Sequence, residues 1–256
     1  MRSLLLAPER LPLRSARAAL ALGRTAVVAP HPDDESLGCG GLLALLAAAG
    51  VPARVVVATD GTRSHPGSAT HPAPVLRALR EAEARAATAA LGLGERAVTF
   101  LRHGDCAMPE PGTSAFERAA DRLAAALGRA ETVLVPWRRD PHCDHVGTWR
   151  LARAAAARMA EAPRWIEYPV WAWPHAADPA IAPCEGEARA WRLDIGAVLP
   201  AKRSAIAAHR SQTGGVIHDD PGGFTLAPEM LAHFDRPWEV FLEPRRPWLP
   251  SPHGCA

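Results

Sequence analysis

The segment RTAVVAPHPDDESLGCGGLLALLAAAG, residues 24–50, decides the fold of this chain. It begins with a short apolar run, RTAVVAP (24–30), and after a cluster of acidic residues it continues as LGCGGLLALLAAAG (37–50). A short apolar run bounded by turn residues is typical of a strand that is buried on both faces. A longer segment rich in alanine and leucine is typical of a helix. The segment therefore predicts a strand that leads directly into a helix.

The same alternation of strand-like and helix-like segments repeats downstream. The strand-like segments are ARVVVATD (53–60), AVTFL (97–101) and ETVLVPW (131–137), and the helix-like segments are LRALREAEARAATAALG (76–92), TSAFERAADRLAAALG (113–128) and VGTWRLARAAAARMAEA (146–162). Apolar strands that alternate with helices are typical of a mostly parallel sheet covered on both faces. We therefore predict an α/β fold, a three-layer Rossmann-like sheet that is mostly parallel and has helices on both faces.

The C-terminal third is less periodic and richer in proline and tryptophan, as in WIEYPVWAWP (165–174) and FDRPWEVFLEPRRPWLP (234–250). We expect it to add strands and loops to the same sheet. The predicted organisation is a single domain over residues 1–256, with the core motifs in 24–162 and a C-terminal elaboration in 163–256.

The overall composition is that of an ordinary globular protein. Of the 256 residues, 48% are hydrophobic and 22% are charged, and the formal net charge is +2. The basic residues are scattered arginines with no Lys/Arg run, so we expect no nucleic-acid partner. The apolar patch at the N-terminus is too short for a signal-peptide core or a membrane span, and we expect no membrane span.

The five cysteines are odd in number, widely spaced and without a C-x-x-C pair. This pattern argues against a disulfide framework and against a thiolate zinc site. It favours a reducing compartment, and we predict a cytoplasmic location.

Two polar segments follow the first and fourth predicted strands, PHPDDE (30–35) and PWRRDPHCDH (136–145). The carboxyl ends of parallel strands share one edge of a sheet, so the two segments should meet there. His31 and Asp34 are three positions apart in the first segment, and so are His142 and His145 in the second. A lone acidic triplet is more often a helix cap, and a lone H-x-x-H is weak, but together they favour a metal site with imidazole and carboxylate ligands.

The motif APHPDDESLGCGG with DPHCDH downstream resembles the PIG-L/LmbE-like N-deacetylases, zinc enzymes that remove an acetyl group from N-acetylglucosamine-type amino sugars. The resemblance runs from about residue 24 to residue 162, with a weaker echo in KRSAIAAHRSQ (202–212). It implies a hydrolase with one Zn²⁺ per chain, for which other divalent ions can substitute. It also implies a small-molecule substrate, an N-acetylated sugar or sugar conjugate.

The resemblance also implies individual roles. His31, Asp34 and His145 would be the metal ligands, Asp33 the general base, His142 the residue over the reacting carbonyl, and Asp144 the carboxylate that orients His142 and keeps it protonated. The chemistry of the residues is consistent with these roles. Side chains of adjacent residues diverge, so Asp33 would not bind the metal together with Asp34 and would remain a free carboxylate that can act as a base. We expect Glu35 to fix the turn or to contact a ligand.

Further candidates for substrate binding are Arg63, Arg80 and His209. Arg63 lies in the polar loop 60–74, which offers many hydrogen-bonding groups and little apolar surface, and this favours a polyhydroxylated ligand. His209 lies at the end of an alanine-rich helix, where a structural capping role is an equally good explanation. Cys143, between the two downstream histidines, is expected to point away from the metal and to be inert.

Two other functions stay open at this point. One is another metal-dependent hydrolase on the same scaffold, a phosphoesterase or a different amidase, although the additional ligands of a two-metal phosphate site are missing. The other is a non-catalytic nucleotide-binding Rossmann module. Against it, three acidic residues lie where a pyrophosphate would bind free backbone N–H groups, and no G-x-G-x-x-G follows the first strand. A homo-oligomer is compatible with the sequence.

Overall fold

The computed structural model describes residues 3–245, except for the side chain of Glu95. Within these residues, the strands are β1 (Leu13–Arg14), β2 (Thr25–Ala29), β3 (Ala53–Thr59), β4 (Val98–His103), β5 (Thr132–Pro136), β6 (Arg164–Tyr168), β7 (Ala188–Asp194) and β8 (Trp238–Pro244). The helices are α1 (Asp34–Ala48), α2 (Ala73–Ala90), α3 (Ser114–Leu127), α4 (Cys143–Ala156), α5 (Leu199–Ala208) and the short α6 (Pro228–Ala232).

The strands form a mostly parallel sheet in the order β1-β7-β8-β6-β5-β2-β3-β4. Only β8 runs antiparallel to its neighbours, β6 and β7. The chain leaves β2 towards β3 and β4 and then returns to β5 and β6 on the other side. The strand order therefore reverses between β2 and β5, which is where open α/β sheets bind their ligands. The predicted α/β fold is confirmed, including the extra C-terminal strands.

Strand β2 is completely buried because helices cover both of its faces. Val27 and Ala29 belong to one apolar core, which also includes residues of α1 and α5. Ala26 and Val28 point the opposite way, into a second core that includes residues of α3 and α4. Alternate residues of a strand face opposite sides of a sheet, so an uninterrupted apolar strand fits this three-layer arrangement.

Helix α1 packs unusually close to its neighbours through its glycines. A Cβ atom on Gly38 would lie 2.3 Å from the ring of Tyr168, and one on Gly41 would lie 2.6 Å from the side chain of Ile195. The carboxylate of Glu239 accepts hydrogen bonds from the backbone N–H of Gly41 and from Nζ of the buried Lys202. These contacts fix the helix whose first turn carries the acidic motif.

The end of helix α4 differs from the sequence prediction. Helix α4 ends at Ala156 and not at residue 162, and residues 157–160 form turns ahead of Pro163, which disfavours helix in the residue before it. The N-terminal segment forms short 3₁₀ turns and the edge strand β1, which pairs with β7. Residues 246–250 of the second tryptophan-rich segment, and Cys255, lie outside the described residues.

None of the helices in the described part of the chain is both long enough and apolar enough to cross a membrane.

Candidate metal and catalytic site

The two polar motifs meet because β2 and β5 are neighbours in the sheet. His31 lies in the turn after β2, and Asp34 is the first residue of α1. His142 is the N-cap of α4, and His145 lies in the first turn of that helix. The structure thus brings together all four residues that the sequence predicts to surround a metal.

The three predicted ligands converge on one carboxylate oxygen. Oδ2 of Asp34 lies 3.2 Å from Nδ1 of His31 and 3.2 Å from Nε2 of His145. The same oxygen accepts a hydrogen bond from the backbone N–H of His31 at 2.9 Å, which fixes its orientation. The ring of His142 lies beside them, with its centroid 4.7 Å from that of His31 and 5.4 Å from that of His145.

Each of the two histidines predicted as ligands has a second carboxylate behind it. Nε2 of His31 lies 3.0 Å from Oδ2 of Asp144, and Nδ1 of His145 lies 3.5 Å from Oδ2 of Asp140. A carboxylate behind a metal-binding imidazole orients the ring and makes it a better ligand. Asp140 is itself held in place, because its oxygens accept hydrogen bonds from the backbone N–H groups of residues 170 and 171.

Sequence reasoning missed two acidic residues of this cluster. Asp140 is the first residue of the motif DPHCDH. It is not three positions from His142 or His145, so the spacing used for the other candidates does not single it out. Asp105 follows β4, the edge strand, and its Oδ1 lies 3.5 Å from Nε2 of His31. A weak signal existed for both, since each is an acidic residue after the carboxyl end of a strand.

The ionisation of this cluster fits a cation. Burial opposes charge on His145, but the carboxylates of Asp34 and Asp140 raise its pKa to about 9. Burial also opposes charge on Asp34, yet His145 and His31 hold the pKa of that carboxyl well below its usual range. Protons on the imidazoles therefore supply positive charge that the surrounding carboxylates require. A divalent ion can replace them, as metal binding to protonated ligands releases protons.

His145 gives a second indication that the residues suit a metal. Its side chain is fully buried, and its Nε2 and Nδ1 lie 3.2 Å and 3.5 Å from the carboxylates of Asp34 and Asp140, but neither nitrogen makes a well-formed hydrogen bond to a described residue. Buried polar atoms without partners are rare in proteins and call for an explanation. Two imidazoles and one carboxylate form a donor set that protein zinc sites use, and coordination by Nε2 would satisfy this orphaned atom.

Asp33 is positioned as a free carboxylate beside the cluster. Its backbone has φ 156° and ψ −29°, an unusual conformation, and its N–H donates to Oε2 of Glu35 at 3.1 Å. Its Oδ2 accepts a hydrogen bond from Arg80 at 3.2 Å. Burial raises the pKa of Asp33 to about 6, and the nearby Arg80 opposes that rise. A carboxylate with this pKa is suited to act as a base near neutral pH.

His142 and Asp144 interact differently from the sequence expectation. The backbone N–H of Asp144, and not its carboxylate, donates to Nδ1 of His142 at 3.2 Å. The carboxylate instead accepts hydrogen bonds from the backbone N–H of Cys106 at 2.8 Å and contacts His31. Burial and the positive charges of His31 and His145 lower the pKa of His142. Because the Asp144 N–H occupies Nδ1, a neutral ring of His142 would carry its proton on Nε2.

His209 does not line the cavity that the other candidates surround. It is 1% exposed, and its Nε2 lies 3.1 Å from Oε1 of Glu35 and 3.1 Å from Oγ of Ser36. Glu35 in turn fixes the backbone of Asp33. The structure thus places His209 beneath the acidic turn, where it supports Glu35, and Glu35 fixes the turn as the sequence predicts.

The cluster forms the floor of a cavity of about 390 Å³. Its wall includes the exposed Arg63 and the buried Arg80, which donates to the carbonyl oxygens of Gly61 and Pro32 as well as to Asp33. The side chains that line it are His31, Asp33, Asp34, Leu37, Arg63, Ser64, Arg80, Asp105, Cys106, Pro141, His142, Trp171, Gln212, Phe224 and Leu226. Cavities of this size hold small organic ligands.

The cavity has more apolar surface than the sequence predicts. Trp171 and Phe224 pack edge to face, with ring centroids 5.7 Å apart, and form an aromatic wall. The expectation of little apolar surface concerned loop 60–74 alone, and the two aromatic residues lie outside that loop. The backbone N–H of Phe224 donates to the carbonyl oxygen of Ser64 at 2.6 Å, which draws a distant segment over that loop.

Comparison with known proteins agrees with this geometry. Residues 26–156, just over half of the chain, match the sequence profile described as PIG-L, GlcNAc-PI de-N-acetylase. The chain belongs to the PIG-L family. The resemblance inferred from the two motifs is thereby confirmed, and the matched region contains all six residues predicted as metal ligands or catalytic groups.

Two curated relatives of this PIG-L protein are deacetylases. It is 28% identical over 235 residues to 1D-myo-inositol 2-acetamido-2-deoxy-alpha-D-glucopyranoside deacetylase 1 of Saccharopolyspora erythraea, covering 74% of this chain and 77% of that protein. It is 51% identical to 2'-N-acetylparomamine deacetylase of Streptomyces fradiae, but only over 53 residues, which are 21% of this chain and 18% of that protein.

The fold of this PIG-L protein also occurs with a different activity. The crystal structure of GalB, the 4-carboxy-2-hydroxymuconate hydratase of Pseudomonas putida KT2440, superposes with a TM-score of 0.61 at 20% identity, covering 90% of this chain and all of that one. A similarity of this kind shows the fold alone. The reaction therefore has to be argued from the site.

Proposed function

We propose that this PIG-L protein hydrolyses the N-acetyl group of an N-acetylglucosamine-type amino sugar or sugar conjugate and releases acetate and a free amine. The observation that carries the proposal is the convergence of His31 and His145 on one oxygen of Asp34, beside the separate carboxylate of Asp33. Family membership and the two deacetylase relatives support amide cleavage on this site.

His31, Asp34 and His145 would hold one divalent ion, and we propose Zn²⁺, for which other divalent ions can substitute. When bound, such an ion acts as a Lewis acid that acidifies water and polarises a carbonyl oxygen. Asp140 and Asp144 would keep the two imidazoles oriented towards it, since each lies against the ring nitrogen that faces away from Asp34.

Asp33 would act as the general base. Its pKa of about 6 leaves it largely ionised at neutral pH, and a cation beside it would lower that value further. Arg80 holds its carboxylate in place through a charge-assisted hydrogen bond. Asp33 can take the proton of the attacking water and then give it to the leaving nitrogen, which needs a proton to depart as an amine.

His142 would stabilise the oxyanion of the tetrahedral intermediate. The Asp144 N–H occupies its Nδ1, so the neutral ring keeps its proton on Nε2 as a hydrogen-bond donor at the cavity. A preorganised donor of this kind is stronger in a water-poor site than in bulk water. The proposal differs from the sequence expectation in that the ring donates as a neutral imidazole.

The cavity supports a sugar conjugate as the substrate. Ser64, Gln212 and Arg63 offer hydrogen bonds for hydroxyl groups, while Trp171 and Phe224 offer an apolar surface for the face of a ring or an attached apolar group. Aromatic side chains suit such a contact because their faces are apolar and rigid. The relatives named for N-acetyl sugars are consistent with this class.

The experiment that tests the proposal is a screen of N-acetylated sugars and sugar conjugates by mass spectrometry. The expected result is a product lighter by one acetyl unit, formed by the wild type and not by Asp33→Asn. Loss of phosphate in parallel assays would favour a phosphoesterase, and addition of water without loss of acetyl would favour a hydratase. Binding of a labelled dinucleotide without turnover would favour the nucleotide-binding module.

We also propose a single domain over residues 1–256. In support, β1 near the N-terminus pairs with β7 of the C-terminal third, and β6 pairs with β5 of the core region. A cytoplasmic location stays a prediction from the cysteine pattern, and the four described cysteines are free thiols.

A further inference from the structure

Two cysteines and an aspartate meet at the rim of the cavity. Cys106 follows β4 in a tight turn with φ 56°, and Cys143 is the first residue of α4. The two sulfur atoms and a carboxylate oxygen of Asp144 lie within 4.8 Å of one another. Both cysteines are exposed, whereas Asp144 is 1% exposed. Cys143 therefore has a thiol neighbour that is distant in sequence.

The distances suit a metal ion after small side-chain rotations. Two sulfur ligands of one tetrahedral Zn²⁺ are each about 2.3 Å from the ion and therefore about 3.8 Å apart. The two sulfur atoms lie within 4.8 Å of each other, so a rotation that brings them together by about 1 Å reaches that spacing. Because both thiols are exposed, one in a turn after β4 and the other at the first residue of α4, their side chains can rotate without disturbing the apolar core.

The charges around the thiols also favour a cation. Sγ of Cys106 lies 3.6 Å from Oδ1 of Asp105, and Sγ of Cys143 lies 3.9 Å from Oδ1 of Asp144. Two carboxylates therefore face two soft sulfur atoms. Sulfur ligands select thiophilic ions, and the carboxylates supply negative charge. This donor set differs from that of His31, Asp34 and His145, which contains no sulfur.

We propose that Cys106, Cys143 and Asp144 form a second metal site, which takes a thiophilic divalent ion such as Zn²⁺ and which inhibits the enzyme when it is filled. Binding releases the two thiol protons to solvent, and both sulfurs then bind as thiolates. The inhibition rests on the proposed function. It follows from the shared Asp144, whose carboxylate also holds His31, and from Cys106, whose side chain lines the cavity.

The test begins with protein that carries one equivalent of Zn²⁺, to which Cd²⁺ is added while the ultraviolet sulfur-to-cadmium charge-transfer absorption is followed. The His31, Asp34 and His145 set cannot produce this absorption, because it contains no sulfur. The expected result is a band that saturates at one equivalent of Cd²⁺ in the wild type. Cys255→Ser is the control and should keep the band.

Cys106→Ser and Cys143→Ser should each weaken Cd²⁺ binding by at least about 10-fold, because loss of a residue that only supports a metal ligand already has an effect of that size. Both variants should still carry the first equivalent of Zn²⁺, which shows that they are folded. A wild type without the band, or a Cys143→Ser variant that keeps it, would overturn the site. The spectroscopic result does not depend on any substrate, so it stands apart from failure of the proposed deacetylase activity.

The inhibitory role is tested with the same proteins. Excess Zn²⁺ should inhibit the deacetylase reaction of the wild type and of Cys255→Ser, and Cys143→Ser should need a concentration at least about 10-fold higher for the same inhibition. Equal inhibition of Cys143→Ser and the wild type would overturn the inhibitory role.

Discussion

The carboxylate of Asp33 lies 3.2 Å from the guanidinium of Arg80, and both side chains are buried and line the cavity. Arg80 cannot easily move away, since it also donates to two backbone carbonyl oxygens, those of Gly61 and Pro32. Two opposing effects therefore set the pKa of Asp33: burial raises it, and the arginine lowers it. Arg80 is thus a positioning residue for the base in addition to a part of the cavity wall.

A first prediction concerns the pH dependence of activity. The base must be ionised, so kcat/KM should rise with pH as Asp33 loses its proton and should fall at acidic pH. Arg80→Gln removes the positive charge, which raises the pKa of Asp33 and moves the acidic limb of the profile to higher pH, by about 1–3 pH units for a neighbouring charge.

The matched control is Arg77→Gln, an exposed arginine on the same helix. Its profile should coincide with that of the wild type. An Arg80→Gln enzyme whose acidic limb stays in place would show that Asp33 is not the titrating base, or that Arg80 does not control it.

A second prediction separates metal binding from chemistry. Asp33→Asn keeps the size of the side chain and removes its basicity, so the variant should bind the metal normally and lose kcat by about 10²–10⁴, the usual contribution of a general base. Elemental analysis and steady-state kinetics on the same preparation give both values. Near wild-type kcat would remove Asp33 from the mechanism.

A third prediction concerns the carboxylate behind His145. Asp140→Asn should lower metal affinity by about 10–100-fold, because an amide no longer holds the imidazole as a carboxylate does. His145→Ala should lose the metal outright. Titration against a competing chelator measures both, with the exposed Asp121→Asn as control. Unchanged affinity in Asp140→Asn would mean that its contact with the ring has no effect on the metal.

A fourth prediction concerns His142. Its replacement by alanine should leave the metal in place and reduce kcat by about 10²–10³, which is typical for loss of one oxyanion donor. Because the ring acts as a neutral donor, His142→Gln should recover part of the lost rate. A variant with no metal would instead assign His142 to the ligand set.

The sequence predicts the parts of this protein that depend on local pattern. Strands β2 and β5 are apolar on both faces, and each carries its polar motif directly after its carboxyl end, so periodicity together with one rule of parallel sheets brings His31 near His145. The contacts made by the glycines of α1, such as that of Gly38 with Tyr168, become clear only from the structure.

The features that the sequence does not predict depend on tertiary contacts. Asp105 and Cys106 reach the site because β4 ends beside it, and Phe224 reaches the cavity because its segment contacts loop 60–74, in part through its backbone N–H and the carbonyl oxygen of Ser64. The pairing of His142 with the Asp144 N–H is a matter of rotamer and helix capping. None of these has a sequence spacing that distinguishes it from an ordinary turn or surface residue.

The most direct test of the central claim is hydrolysis of N-acetylglucosamine conjugates by the metal-loaded enzyme in water enriched with ¹⁸O. Acetate and free amine should appear in equal amounts, with the label in the acetate, and simple N-acetyl alkylamines should react far more slowly because they lack the hydroxyl groups that the cavity can bind. Equal kcat/KM for the two classes would contradict the sugar assignment. Turnover that releases neither acetate nor amine would contradict the deacetylase itself.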